Sequence, residues 1–121
     1  MIVYHASLHS FDEFKVTDQG IHFGSKESAL VAVERKAEQI VELHGESARP
    51  AKFWLYTVEL DTSSFVEEFD HGYDWAKSFE KEIDSIKGYV YTNRYEPSSA
   101  PSYITWDADT IKSFSKHEME F

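Results

Sequence analysis

The sequence predicts an α+β fold. Three observations carry that expectation: short segments rich in β-branched and aromatic residues, two stretches whose apolar residues recur at helical spacing, and the order of these segments. They run strand, strand, helix, strand, helix, strand, strand, which departs from the regular alternation of a βαβ domain.

Residues 2–7, Ile-Val-Tyr-His-Ala-Ser, open the chain with β-branched and aromatic side chains and read as a strand. Gly20-Ile21-His22-Phe23-Gly24 is a brief apolar run between two glycines, a short strand or extended crossing. From Ser25 the period changes. Leu30, Val33, Ala37, Ile40 and Val41 recur at helical spacing, with Ser25 as N-cap and Gly45 as the stop. Residues 51–60 alternate Phe53, Leu55, Thr57 and Glu59 against Trp54, Tyr56, Val58 and Leu60, a strand with at least one buried face, ended by Asp61-Thr62-Ser63-Ser64.

A second helix is expected from the stripe Trp75, Phe79, Ile83 and Ile86, with Asp74 near its start and Gly88 just past its end. Tyr89-Val90-Tyr91-Thr92 and Ser102-Tyr103-Ile104-Thr105-Trp106 are two further strands. Between them, Glu96-Pro97-Ser98-Ser99-Ala100-Pro101 reads as a mobile loop. Ile111-Lys112-Ser113-Phe114 is a short last strand.

At 121 residues, 41% hydrophobic and 16% aromatic, the chain has material for one core and is read as a single domain over residues 1–121. It contains no cysteine, which removes disulfide scaffolds, thiolate metal sites and cysteine nucleophiles together and makes the cytoplasm the default expectation. Met1-Ile2-Val3-Tyr4-His5 lacks a basic leader and no segment reaches membrane-spanning length, so neither export nor membrane insertion is expected. Twelve Lys and Arg against 22 Asp and Glu give a net charge of −10, which repels a phosphate backbone and argues against direct nucleic-acid binding. Glu67, Glu68, Asp70, Asp74, Glu80, Glu82 and Asp84 gather much of that charge, either as a solvated face or as a surface for a basic partner.

Three segments can carry chemistry. In Tyr4-His5-Ala6-Ser7, small residues after a strand let a ligand approach the backbone, and the imidazole supplies a donor and an acceptor. In Gly20-Ile21-His22-Phe23-Gly24-Ser25, the glycines permit close approach, an aromatic ring offers a stacking surface and the helix start presents free N–H groups. A tight turn into the helix explains the glycines equally well. The two strands that flank the mobile loop can bring Glu96, Ser102 or both to a cleft.

Together these segments resemble the ADP-ribosyltransferase superfamily, in particular the small transferase-like domains within polyvalent proteins of phages and mobile elements. Tyr4-His5-Ala6-Ser7 resembles the family's histidine motif. Phe11-Asp12-Glu13-Phe14, Gly20 to Ser25 and Glu27-Ser28-Ala29 resemble the block in which a glycine and an aromatic strand precede a helix. Gly88 to Asn93, Ser102 to Asp107 and Thr110 to Ser113 resemble the closing block. Residues 45–87 are weakly covered, and it is the order and spacing of the motifs that carry the likeness.

The resemblance implies split antiparallel β-sheets with two main helices, NAD as cofactor, and transfer of ADP-ribose to a protein. It implies a cofactor-binding set of His5, Ala6, Ser7, His22, Phe23 and Ser25. Within that set, His5 bonds a ribose hydroxyl, the Ala6 backbone holds the nicotinamide amide, and His22 stands where the family's second-motif tyrosine walls the pocket. The catalytic set implied is His5, Ser102 and Glu96. Ser102 occupies the position of the glutamate that precedes the tyrosine of the closing motif, and a hydroxyl does not stabilise developing positive charge as a carboxylate does. Glu96 is the nearby carboxylate placed to compensate.

The leading functional expectation is therefore a mono-ADP-ribosyltransferase of phage or mobile-element origin acting on a host protein. Its competitor is a non-catalytic acidic module on the same fold that inhibits a host protein such as a nucleic-acid-binding defence factor. A metal-dependent hydrolase is the third reading. Of the six histidines, His9, His44, His71 and His117 are scattered among turns or ends, and no metal site is expected.

Overall fold

The computed structural model describes residues 1–17, 20–67, 87–92 and 100–121. Helix α1, Lys26–His44, runs between the caps its sequence supplies. The Ser25 hydroxyl accepts from the Ser28 amide, and Gly45, at a φ of 89°, turns the chain out of the helix while its amide donates to the Val41 carbonyl. Ala29, Val33 and Ala37 form its buried stripe.

The strands are β1 (Ile2–Ser7), β2 (Ile21–Phe23), β3 (Lys52–Leu60), β4 (Val66–Glu67), β5 (Gly88–Tyr91), β6 (Ser102–Thr105) and β7 (Ile111–Glu120). They form two sheets, ordered β1-β3-β7 and β2-β6-β5-β4. The fold is α+β, as the order of segments predicts. Among the described residues the ladders are antiparallel except β4 with β5, which is parallel and so departs from the expected split antiparallel sheets.

Two other strands differ from their sequence expectation. Strand β4 is described over Val66–Glu67, where the sequence suggests no strand. Strand β7 runs on through Ser115-Lys116-His117-Glu118-Met119-Glu120, well beyond Phe114. Paired among the described residues only to β3, it keeps much of its surface in solvent, so its polar residues conceal the strand from a search for apolar alternation. The helix expected around Trp75, Phe79, Ile83 and Ile86 lies outside the described residues, as do Glu96 and every member of the acidic cluster except Glu67.

Strand β3 is buried on both faces because two different layers cover it. On one face Phe53 and Leu55 join Ala6 of β1 and Ala29 and Val33 of α1. On the other, Tyr56, Val58 and Leu60 join Val3, Phe14, Ile21, Phe23 and Tyr103, filling the space between the sheets. Tyr56, Val58 and Leu60 are each at most 1% exposed, and complete burial of such a side chain stabilises by about 1.5–3 kcal/mol. A third cluster, Tyr89, Tyr91 and Ile104 with Trp106 against it, lies on the outer face of the second sheet.

A main-chain bridge joins the two sheets. Tyr4 and Gly24 form an antiparallel bridge, with Tyr4 N donating to Gly24 O at 2.8 Å and Gly24 N to Tyr4 O at 3.0 Å. This bridge ties β1 to the end of β2, immediately before α1 begins.

Candidate functional site

Alternation along β1 turns Val3, His5 and Ser7 to the face they share with Val58, Tyr56 and Trp54 of β3. His5 therefore points between the sheets. Its Nδ1 lies 2.8 Å from the main-chain oxygen of His22. A carbonyl oxygen only accepts, so Nδ1 carries the proton and Nε2 is left as the acceptor nitrogen of the neutral ring.

Part of His5 meets solvent, yet the ring is enclosed by aromatic neighbours, with centroids of Phe14, Phe23, Tyr56 and Phe11 at 5.6, 5.8, 6.2 and 6.3 Å. That burial pushes its pKa below the ordinary 6.5, against the opposing effect of the His22 carbonyl and with a smaller contribution from the positive charge of Lys36. The ring is thus held neutral at pH 7.

The segment after β1 builds much of this enclosure. Phe11 stacks on Tyr56 at 4.3 Å with an interplanar angle of 7°, and the Phe11 amide donates to the Tyr56 hydroxyl at 2.9 Å. From β7, the Lys116 amine donates to Ser10 Oγ, Asp12 Oδ1 and the Phe11 carbonyl at 2.8, 2.8 and 3.1 Å. Lys116 thereby ties the segment that covers His5 to the far edge of the first sheet.

Alternation along β2 sends Ile21 and Phe23 into the core and His22 to the outer face of the second sheet. There it shares a face with Ile104, its partner on β6, and with Tyr89, which pairs with Ile104 from β5. Its Nδ1 lies 2.7 Å from the Tyr91 hydroxyl, with the two rings edge to face at 6.0 Å and 87°. Tyr91 pairs in register with Ser102, so Ser102 stands on the same face.

Ser102 is also where the second sheet approaches the start of α1. A Cβ built on Gly24 would lie 3.4 Å from both Ser102 Oγ and the Ser28 side chain, so the gap between them is about the size of one methyl group. Ser28 is buried, and its hydroxyl accepts from Ser25 Oγ at 3.0 Å. Gly24, Ser25, Ser28 and Ser102 thus line up small and hydroxyl-bearing residues at the N-terminus of a 19-residue helix.

The residues singled out in the sequence fall into distinct places. The His5 ring faces the inter-sheet layer and reaches His22 only at its main chain, whereas the His22 ring and Ser102 occupy the opposite face of the second sheet. Ala6 packs against α1, and Ser7 Oγ accepts from the His9 amide. Phe23 is 3% exposed and turns its ring to His5 and Phe14, so its surface is occupied within the core. Ser25 acts as the helix cap.

Tyr91 and Tyr56 were not among the residues the sequence pointed to, because a tyrosine in an apolar strand reads as core. The one available signal is alternation, which puts Tyr89 and Tyr91 on the face of Ser102 once the strands are paired. Among the described residues, no group of three or more His, Cys, Asp or Glu is placed to hold a metal ion, and no helix is long and apolar enough to cross a membrane. Comparison with family models, with curated proteins and with solved structures finds no match to the chain.

Proposed function

We propose that the chain is a mono-ADP-ribosyltransferase that uses NAD to modify a host protein, encoded by a phage or mobile element. The observation that carries this reading is a neutral histidine of fixed tautomer on the strand that bridges to Gly24, just before a helix start at which Ser25, Ser28 and Ser102 gather. An imidazole held with Nδ1–H leaves Nε2 to accept a hydrogen bond from a ribose hydroxyl. The N-terminus of α1 favours negative charge such as that of a pyrophosphate.

In this reading the Ala6 main chain pairs with the carboxamide, and Ser102 stands where the transferases that the sequence resembles carry glutamate. Glu96 supplies the carboxylate that assists departure of nicotinamide from the ribose C1′ as a nucleophile of the target protein bonds there. The test is nicotinamide release from NAD by the wild-type protein, by His5→Ala and by Glu96→Gln. Release by wild type that both substitutions reduce at least about tenfold supports the reading, a loss of about 1.4 kcal/mol of transition-state stabilisation. No release above the uncatalysed rate in the presence of host extract counts against it.

One observation favours a second reading, a non-catalytic acidic module that binds a basic host protein. Strands β2, β5 and β6 carry no acidic residue, and the glutamate position is a serine 4% exposed. With a net charge of −10, such a module retains the fold and dispenses with the chemistry. It predicts capture of a basic protein that neither NAD nor His5→Ala affects.

A further inference from the structure

The two outer strands of the first sheet differ in what meets their far side. Leu60 N donates to Met1 O at 2.8 Å and Met1 N to Leu60 O at 3.2 Å, so even-numbered residues of β3 direct their main-chain groups to β1. Odd-numbered Phe53, Leu55, Thr57 and Glu59 therefore direct theirs to β7, opposite Met119, His117, Ser115 and Ser113. The Phe121 amide, which donates to the Ala51 carbonyl at 3.3 Å, continues that pattern. On β1 the outward groups of Tyr4 are met by Gly24. On β7 the outward groups belong to Phe114, Lys116, Glu118 and Glu120, and among the described residues no strand pairs with them.

A strand edge of this kind is a template for another strand, and proteins commonly blunt it with proline, a bulge or charged side chains. The register shift between Glu59 and Leu60 confines irregularity to the start of β7, and from Ser113 onward the strand pairs regularly and contains no proline. Its charges do not repel a copy of itself, because Lys116 precedes Glu118 and Glu120. An antiparallel copy reverses that order and sets opposite signs together.

We propose that β7 is an interaction surface for a second copy of the chain, which extends the first sheet across a two-fold axis at His117. The direction of the main-chain groups restricts antiparallel pairing to registers that set even-numbered residues against even-numbered ones. Centring on Lys116 or Glu118 sets like charges against each other, which is destabilising. Centring on Ser115 runs the pairing into the irregular start of the strand at Lys112. Centring on His117 keeps it within residues 113–121 and sets Lys116 of each copy opposite Glu118 of the other. Phe121, 46% exposed, then comes opposite Ser113 of the second copy. The net charge of −10 opposes association of any two copies, so local pairs of opposite sign decide the register. Pairing through this edge is independent of what His5 and Ser102 bind.

The experiment is sedimentation of the full chain at about 0.15 M salt over a range of concentrations, with amide hydrogen exchange at both ends of that range. The expected result is a monomer–dimer equilibrium in which the even-numbered amides from Phe114 to Glu120 gain protection as the dimer forms. The odd-numbered amides from Ser113 to Met119, which face β3, stay protected throughout. Glu118→Lys sets lysine opposite Lys116, and His117→Asp sets two carboxylates at the axis. Each weakens the dimer about tenfold or more, while His117→Thr stays within about threefold of wild type. Wild type that remains monomeric up to about 1 mM overturns the proposal, whatever the variants do. A dimer whose even-numbered β7 amides exchange freely overturns it too, since another surface then joins the copies. Protection of those amides in a protein that sediments as a monomer gives the edge to another segment of the same chain and overturns it as well.

Discussion

His5 and His22 belong to different sheets, and the Nδ1–H of the first donates to the main-chain oxygen of the second at 2.8 Å. A side chain buried among four aromatic rings is thereby fixed in tautomer by a strand from the opposite layer. Stability, protonation and the proposed ligand contact all pass through this pair.

Protonation of His5 is the first consequence. Burial holds its pKa below 6.5, so as pH falls the unfolded chain binds the proton before the folded one does. His5 therefore contributes stability in full above about pH 6.5, and that contribution is lost as pH falls through the lower folded-state value. Urea midpoints taken between about pH 5 and pH 8 should decline more steeply with acid for wild type than for His5→Gln. Parallel profiles would show that the ring is not held neutral by the fold.

Tyr56→Phe keeps the ring that stacks on Phe11 and removes the acceptor of the Phe11 amide. Leaving that partly buried donor unmet should cost about 1–2 kcal/mol in urea unfolding and speed hydrogen exchange at the Phe11 amide. Unchanged exchange there would mean that the segment over His5 is held by Lys116 and packing alone.

Ser25→Ala removes the hydroxyl that accepts from the Ser28 amide and donates to Ser28 Oγ. The expected loss is about 1 kcal/mol, and Ser25→Asp should recover most of it, because a carboxylate also caps and favours the positive end of the helix. Equal melting temperatures for Ser25→Ala and wild type would refute the cap as a source of stability.

Gly24→Ala separates fold from site. The added methyl meets Ser102 Oγ and Ser28 at 3.4 Å, close to ordinary contact, so stability should change by no more than about 1 kcal/mol. The same methyl occupies the space between the start of α1 and β6, so NAD affinity should fall about tenfold or more. Undiminished affinity would move the ligand away from this junction.

Much of the fold is legible in the sequence where local chemistry and tertiary role agree. Helix α1 announces both of its caps, and the alternation of β3 survives because each face is buried, though by different layers. The last six residues of β7 are hidden by their polarity, since a strand paired among the described residues only to β3 keeps much of its surface in water. For the site, His5 and His22 stand out as histidines in apolar strands, but which faces they take depends on pairings that cannot be read locally. That is why the sequence groups His5 with Phe23 as ligand contacts while the fold packs the two rings against each other. Tyr91 is invisible for the same reason: its meeting with His22 exists only after β6 has come between their strands.

The most direct test of the central claim is calorimetric titration of the purified protein with NAD, alongside His5→Ala. The account predicts saturable binding by wild type that His5→Ala weakens about tenfold or more, with the variant still folded. No heat of binding by wild type at millimolar NAD, or equal affinity for the two proteins, would contradict it.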